Sequence, residues 1–280
     1  MKPLDDCLKW LPILKECAHT YLNESEYDQF ESLSSEEVAI QLVNLLEKPI
    51  MSFTVVNDVY FRARWAEVLQ TLHPEQDLTL LEVATGDADM IPQVMARTHL
   101  NGRYITANMN KSLNASLLRK TENLGLNLEV IEDDAAHIAE HLGHNAVDII
   151  AFQHAINDVI QAILCDRVGI DTTFSDWMET LPRMIEILQQ EIVQNTLELH
   201  AKEPFLQLID TLLQVLKPNG IIAMNHYMFQ LDLDWGYPPA LFEHMVPLTR
   251  KWLREVTECE EIAVDGFDPQ WWIFLQKKSS

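Results

Sequence analysis

Residues 78–89 read Leu-Thr-Leu-Leu-Glu-Val-Ala-Thr-Gly-Asp-Ala-Asp, and this stretch decides the fold. An apolar run ends in an acid, Glu82, then breaks at Ala84-Thr85-Gly86-Asp87-Ala88 into a helical pattern. A buried parallel strand that turns tightly into a helix N-terminus is how α/β proteins make a nucleotide site. Small residues let the backbone approach a ligand closely, and the acid can accept hydrogen bonds from ligand NH or OH groups. Every strand-to-helix turn needs small residues, so the stretch draws its meaning from the pattern of residues 90–276.

In that region, strands alternate with helices. A helix over 91–98 precedes a second strand at 103–107, and a helix over 112–124 precedes a short third strand at 128–131. The fourth strand, 147–152, is apolar on both faces, as buried parallel strands are. Pro218-Asn219-Gly220 is a turn leading into a fifth strand at 221–224. Segments 260–264 and 271–275, flanking Asp265-Gly266-Phe267-Asp268-Pro269, read as a terminal hairpin. The pattern predicts an α/β fold with a mostly parallel sheet and helices on both faces.

Residues 1–75 read as three amphipathic helices, a helical N-terminal cap or extension, and the third carries Tyr60, Phe61, Arg62, Arg64 and Trp65. Residues 76–280 form the α/β domain. A helical insertion at about 159–205 comes after the fourth strand, and there it would lie over the carboxyl edge of the sheet.

Composition narrows the function. With 280 residues, 48% of them hydrophobic, the chain can bury a full core. A formal net charge of -23 argues against a nucleic-acid partner, because phosphate binding needs clustered Lys and Arg, and it disfavours anionic membranes. Cys7, Cys17, Cys165 and Cys259 show no metal spacing and read as reduced thiols. The first 22 residues, interrupted by Asp5, Asp6, Lys9, Lys15 and Glu16, are an amphipathic helix and not a signal peptide. A cytoplasmic protein with a small-molecule substrate and no membrane partner is expected. Its oligomeric state is open, a homodimer included.

Five features in order resemble the class I, Rossmann-like S-adenosylmethionine-dependent methyltransferases over residues 58–276. They are Leu80–Ala88 at an acid-plus-glycine turn; Ala107-Asn108-Met109-Asn110 after the second strand; Glu132-Asp133-Asp134-Ala135 after the third; Phe152–Asp158 after the fourth; and Leu216-Lys217-Pro218-Asn219-Gly220 before the fifth. The resemblance implies a seven-stranded, mostly parallel sheet and S-adenosyl-L-methionine as cofactor, with no metal. It places Glu82, Ala84 and Gly86 at the methionine part, Asn108 and Met109 at the ribose, and Asp134 with Ala135 at the adenine. Gln153 and His154 fall beside the sulfonium and the incoming substrate.

Two positions depart from the family. Ala84 and Ala88 replace glycines, which an alanine can do if φ stays negative. Asn108 replaces the ribose acid, at a cost of roughly 1 kcal/mol in hydrogen-bond strength.

His154 is the first candidate for a general base and His226 the second. Asn157, Asp158, Tyr60, Arg64, Tyr227 and Trp235 are candidate substrate contacts. Each has a plainer reading: Asp134 as a helix N-cap, Asn157 and Asp158 as caps of the next helix, His154 as a structural histidine, Arg64 as a partner of surface acids. His137, His141 and His144 share one helical face at metal-like spacing, but no catalytic Glu accompanies them, and a solvated stripe is the better reading.

The expected activity is methyl transfer to a small organic acceptor by in-line displacement. Two alternatives remain: aminocarboxypropyl transfer or ring closure releasing methylthioadenosine, and a catalytically silent binding module of the same fold.

Overall fold

Strand β2 (Thr79–Val83) alternates its side chains between two cores, and this sets the layering: Leu81 and Val83 enter one, Leu78 (just before it) and Leu80 the other. A strand buried on both faces needs a helical layer on each. The structure is a computed structural model that describes residues 4–47, 50–51, 54–75 and 77–279.

Helices α1 (Leu4–Tyr21), α2 (Glu24–Glu31) and α3 (Ser35–Glu47) come first, then β1 (Ile50–Met51) and α4 (Val55–Leu72). After β2 come α5 (Met90–Thr98), β3 (Arg103–Ala107), α6 (Lys111–Thr121) and β4 (Asn127–Ile131). A 3-10 turn (Ala135–His137) runs into α7 (Ile138–Leu142), then β5 (Val147–Gln153). Three helices, α8 (Ile156–Arg167), α9 (Trp177–Gln194) and α10 (Leu197–Val215), separate β5 from β6 (Leu216–Asn225). The chain closes with β7 (Met228–Phe229), α11 (Gln230–Asp234), α12 (Pro239–Leu253), β8 (Cys259–Glu261) and β9 (Trp272–Lys277).

The main sheet has seven strands in the order β4-β3-β2-β5-β6-β9-β8. Every pairing is parallel except those of β9, which runs antiparallel to both β6 and β8. This is the mostly parallel seven-stranded α/β architecture that pattern and resemblance imply. β1 and β7 form a separate two-stranded parallel pair that hydrophobic periodicity gave no sign of.

Two details differ from the sequence reading. Pro218-Asn219-Gly220 lies inside β6 as a bulge: the pairing Val147↔Leu216 resumes only at Ile149↔Ile221, and Asn219 takes φ +63° to make the excursion. Among the described residues four helices, not three, precede β2. Asn23 caps α2 through a reciprocal pair with Glu26, Ser34 and Glu37 do the same for α3, and Thr54 accepts from Asn57 N at the start of α4.

These helices belong to the core of the sheet. Trp65 of α4 is fully buried, meets Trp272 of β9 edge-on at 5.3 Å and donates from Nε1 to Gln153 at the end of β5. Phe61 packs on Tyr227 and Phe229. Among the described residues no helix is long and apolar enough to cross a membrane.

Because Trp65 joins helix to sheet, Trp65→Ala is expected to cost about 3–5 kcal/mol in urea unfolding. A loss under about 1 kcal/mol would show that α4 is only an appendage.

Candidate active site

The segments leaving the carboxyl ends of β2, β3, β4, β5 and β6 surround one cavity of about 1240 Å³. It lies where the winding reverses, with β3 and β4 built outward on one side of β2 and β6 on the far side of β5. The segment 170–176 and the start of α9 close over it. Asn110 holds that segment down by donating to Thr172 O (3.2 Å) and Ser175 O (3.0 Å).

Ala84 and Gly86 line the cavity in left-handed conformations, φ +54° and +61°. Glycine accepts this without cost. Ala84 brings its Cβ toward the following carbonyl, at roughly 1–2 kcal/mol, so the negative φ expected of an alanine here is not what the loop adopts. Neighbours hold the turn in place. Thr85 Oγ1 donates to Ala88 O at 3.0 Å, and Ser116 Oγ and Lys120 Nζ donate to Asp87 Oδ2 at 2.9 and 2.7 Å.

Glu82 does not line the cavity. Its carboxyl is buried and accepts from Tyr104 OH at 2.7 Å, while Thr106 Oγ1 donates to its main-chain oxygen. Burial, only partly offset by the hydrogen bonds from Tyr104 and Thr85, pushes its pKa up to about 8. The group is therefore mostly neutral at pH 7 and ties β2 to β3 behind the loop.

Asn108 does reach the cavity, in a fixed orientation. Nδ2 donates to Gly86 O (2.7 Å) and to Asn114 Oδ1 (2.6 Å), which uses both amide hydrogens and leaves Oδ1 as the acceptor for a ligand hydroxyl. Met109 lines the cavity beside it. Asp134 and Ala135 line it too, but Asp134 Oδ1 already accepts from Ala136 N, so the N-cap reading holds as well. Hydrogen bonds from His141 and His137 hold the neighbouring Asp133 carboxyl down to about 2. The histidine face is thus organised around one carboxylate, with His137 in the cavity wall, while His144 is exposed and makes no such bond.

Gln153 lines the cavity with its Oε1 held by Trp65 Nε1 and by Asn225 Nδ2 (2.8 Å), so its NH₂ end is the part free to meet a ligand. His154 also lines it, at φ +55°, and its Nδ1 accepts from Tyr227 N–H at 3.3 Å. The imidazole proton therefore sits on Nε2, 3.6 Å from Asp232 Oδ2. A nitrogen that already carries its proton is a donor, so His154 is not the base first expected. His226 stacks behind it (4.9 Å, 11°) outside the cavity, and burial lowers its pKa far enough to keep it neutral.

Asp158, from the first turn of α8, and Trp235 line the cavity. The other proposed substrate contacts do not. Asn157 is buried and hydrogen bonds to Asp158. Tyr60 packs on Trp10. Arg64 pairs with Glu67, donates to Gly266 O and lies 3.7 Å over Phe267, tying α4 to the β8–β9 connection. Tyr227 accepts from Trp272 Nε1. Helical periodicity placed these residues on elements near the site but could not say which face of α4 the sheet covers.

Sequence reasoning missed Asp58 and Phe61 on α4, Trp177 and Met178 on α9, and Asp232 with Phe229 after β6, all of which line the cavity. Asp232 had one signal, an acid three residues into a helix start, and its Oδ2 does accept from Phe229 N. Elsewhere, His73, Glu75 and Asp77 bring three possible ligand atoms within 4.8 Å of one another before β2, at the edge of the sheet opposite the cavity.

No protein-family model and no curated protein sequence matches the chain. Among solved structures it is similar to a SAM-dependent methyltransferase from Aquifex aeolicus, at 15% identity over 76% of this chain and 88% of that one, TM-score 0.48. It is also similar to a putative S-adenosyl-L-methionine-dependent methyltransferase from Methanococcus maripaludis, at 12% identity over 86% and 91%, TM-score 0.49. A third is a putative rRNA-methylase from Clostridium thermocellum, at 13% over 77% and 94%, TM-score 0.46. Likenesses this distant decide nothing about activity. The strand order itself, with its one antiparallel strand next to last, is the seven-stranded, mostly parallel α/β arrangement expected from the sequence.

The buried groups of the site make stability depend on pH and on one amide. Folded Glu82 keeps its proton up to about pH 8, whereas the unfolded side chain loses it near 4.5, so the native state loses stability as pH rises through that window. Glu82→Gln keeps an acceptor for Tyr104 and cannot ionise. Its stability relative to the parent should grow by on the order of 3 kcal/mol between pH 5 and 8, read as melting temperature against pH. Asn108→Asp sets a carboxylate against Gly86 O and Asn114 Oδ1. It should lower stability at pH 7 by about 2 kcal/mol, with partial recovery on acidification.

Proposed function

We propose that this protein is an S-adenosylmethionine-dependent methyltransferase acting on a small organic acceptor. The observation that carries the reading is the convergence on one cavity of Ala84–Gly86, Asn108, Asp134–Ala135 and Gln153–His154, each from the end of a different strand. The donor set suits the cofactor. Asn108 Oδ1 is an acceptor for ribose hydroxyls, and the wall is rich in carboxylates, which suits a sulfonium cation.

Held by Ala84–Gly86, Asn108, Asp134–Ala135 and Gln153–His154, the cofactor would supply an electrophilic methyl group on positively charged sulfur. The protein's own part is alignment and proton removal. Alignment contributes roughly 7–11 kcal/mol. Asp158 is the base. Burial and the neighbouring Asp232, opposed by His154, raise its pKa to about 6, so it is ionised at neutral pH yet more basic than an ordinary carboxylate. His154 Nε2 lies 3.6 Å from Asp232 Oδ2, and the Phe229 N–H holds that carboxylate in place.

Calorimetry should give saturable binding of S-adenosylmethionine and S-adenosylhomocysteine; no heat at millimolar ligand would support the silent-module reading instead. With an acceptor in hand, kcat/KM should rise with pH through about 6 and then level. Asp158→Asn should cost about 10²–10⁴ in rate and remove that limb. Release of methylthioadenosine would exclude methyl transfer.

A further inference from the structure

The acceptor's chemical class can be read from the far end of the same cavity, an inference that rests on the methyltransferase reading above. Among the described residues that line the cavity are nine aspartates, one arginine and no lysine. Several of these carboxylates already have cationic or imidazole partners: Asp58 pairs with Arg62, Asp87 with Lys120, and Asp133 with His137 and His141. The one arginine, Arg167, pairs with Glu191.

Asp134, Asp166, Asp171 and Asp176 are exposed and have water for a partner, whereas Asp158 and Asp232 are enclosed. Among the described residues no lysine or arginine pairs with either; Asp158 accepts from the Asn157 amide, and Asp232 accepts from Phe229 N and lies 3.6 Å from His154 Nε2. Asp232 is only 6% exposed, yet it lines the cavity. Charge held this deep without a cation is costly unless a partner arrives from outside the chain. Both residues follow β5 and β6, where Gln153 and His154 adjoin the sulfonium; that one positive charge answers one of the two carboxylates, and the cation for the other belongs to the second ligand.

Around them the wall is apolar and aromatic. Phe61, Phe229, Trp235 and Val159 line the cavity, and the Phe229 ring lies edge-on to His154 at 4.9 Å. Aromatic faces attract a desolvated cation and cover an apolar body.

We propose that the acceptor is a small amine with an apolar body, which enters as its ammonium ion and is gripped between Asp158 and Asp232. Asp158 takes one N–H proton, and the freed nitrogen lone pair forms the new N–C bond as the C–S electrons go to sulfur. The product leaves as a methylated ammonium ion, and Asp158 returns its proton to water.

Three probes share one apolar body and differ in charge: phenethylamine, 2-phenylethanol and phenylacetate. Calorimetry with the full chain saturated by S-adenosylhomocysteine should rank the amine at least tenfold tighter than the alcohol, with phenylacetate weakest. Asp232→Asn, or Asp158→Asn where the first does not fold, should bring the amine to the alcohol's affinity and leave S-adenosylhomocysteine affinity unchanged. Equal binding of amine and alcohol, or no detectable amine binding, overturns the assignment. Failure of S-adenosylhomocysteine to bind instead overturns the methyltransferase reading, and the same amine-to-alcohol ratio, measured without it, still decides whether the two aspartates select a cationic ligand.

Discussion

The handedness of the connections determines most of this molecule. A parallel strand, its crossover and the next parallel strand form a right-handed unit, so the direction of travel along the sheet sets the face on which the crossover helix lies. From β2 the chain moves toward β3, and Ile91, Val94 and Met95 of α5 enter the core shared with α1 and α4. From β5 it moves the other way, and Ile156 and Ile160 of α8 enter the opposite core. The two neighbouring strands thus send their connections to opposite faces, and neither connection covers the gap between them. The cavity is a consequence of topology before any side chain is chosen.

One face of the sheet is completed by an unusual helix. Residues 56–66 of α4 are buried on nearly every side, except Asp58, and that run includes Arg62 and Arg64. Both charges have partners: Arg62 reaches Asp58 and lies 3.9 Å from Asp89 behind the glycine turn, and Arg64 reaches Glu67 and Gly266 O. A helix this enclosed cannot be shed, because it would expose Trp65, Phe61 and Val68 together with two desolvated guanidinium groups. It also explains how a residue so early in the chain, Asp58, comes to stand in the cavity wall.

The fold was legible because its signals are local and redundant. The alternation over 78–152 fixes strand identity, and the glycine-turn sequence fixes where the first crossover begins. The site was half legible for the same reason. Residues just past a strand end, such as Asn108, Asp134 and His154, are carried to the carboxyl edge by the strand itself. Residues placed by tertiary contact were not readable. Tyr60 and Arg64 share α4 with Asp58 and Phe61, but only the packing of that helix on Trp272 and Phe267 decides which pair meets the cavity. The role of His154 turns on a finer point, since one main-chain donor, Tyr227 N–H, sets the tautomer and no sequence pattern records it. Glu82 shows the same limit: its position is evident, but its mostly neutral state depends on burial and on the Tyr104 hydroxyl from the adjacent strand.

Charge in the cavity has a gradient that neither composition nor motif describes. At the end of β3 the cavity meets an amide, Asn108, and the acid behind the glycine turn is mostly protonated at neutral pH. Asp58, Asp87 and Asp133 on the β2–β4 side each have a cationic or imidazole partner, which leaves Asp158 and Asp232, beyond β5 and β6, as the enclosed carboxylates that no lysine or arginine among the described residues pairs with. At an effective dielectric of about 20, a unit charge about 5 Å from one such carboxylate feels roughly 3 kcal/mol, repulsive for a phosphate and attractive for an ammonium ion. Two carboxylates together give a selectivity well beyond a hundredfold between ligands of opposite charge. The overall charge of -23 acts in the same direction at longer range, but salt screens it within about 10 Å, so the two enclosed aspartates, and not the acidic surface, decide what the cavity can hold.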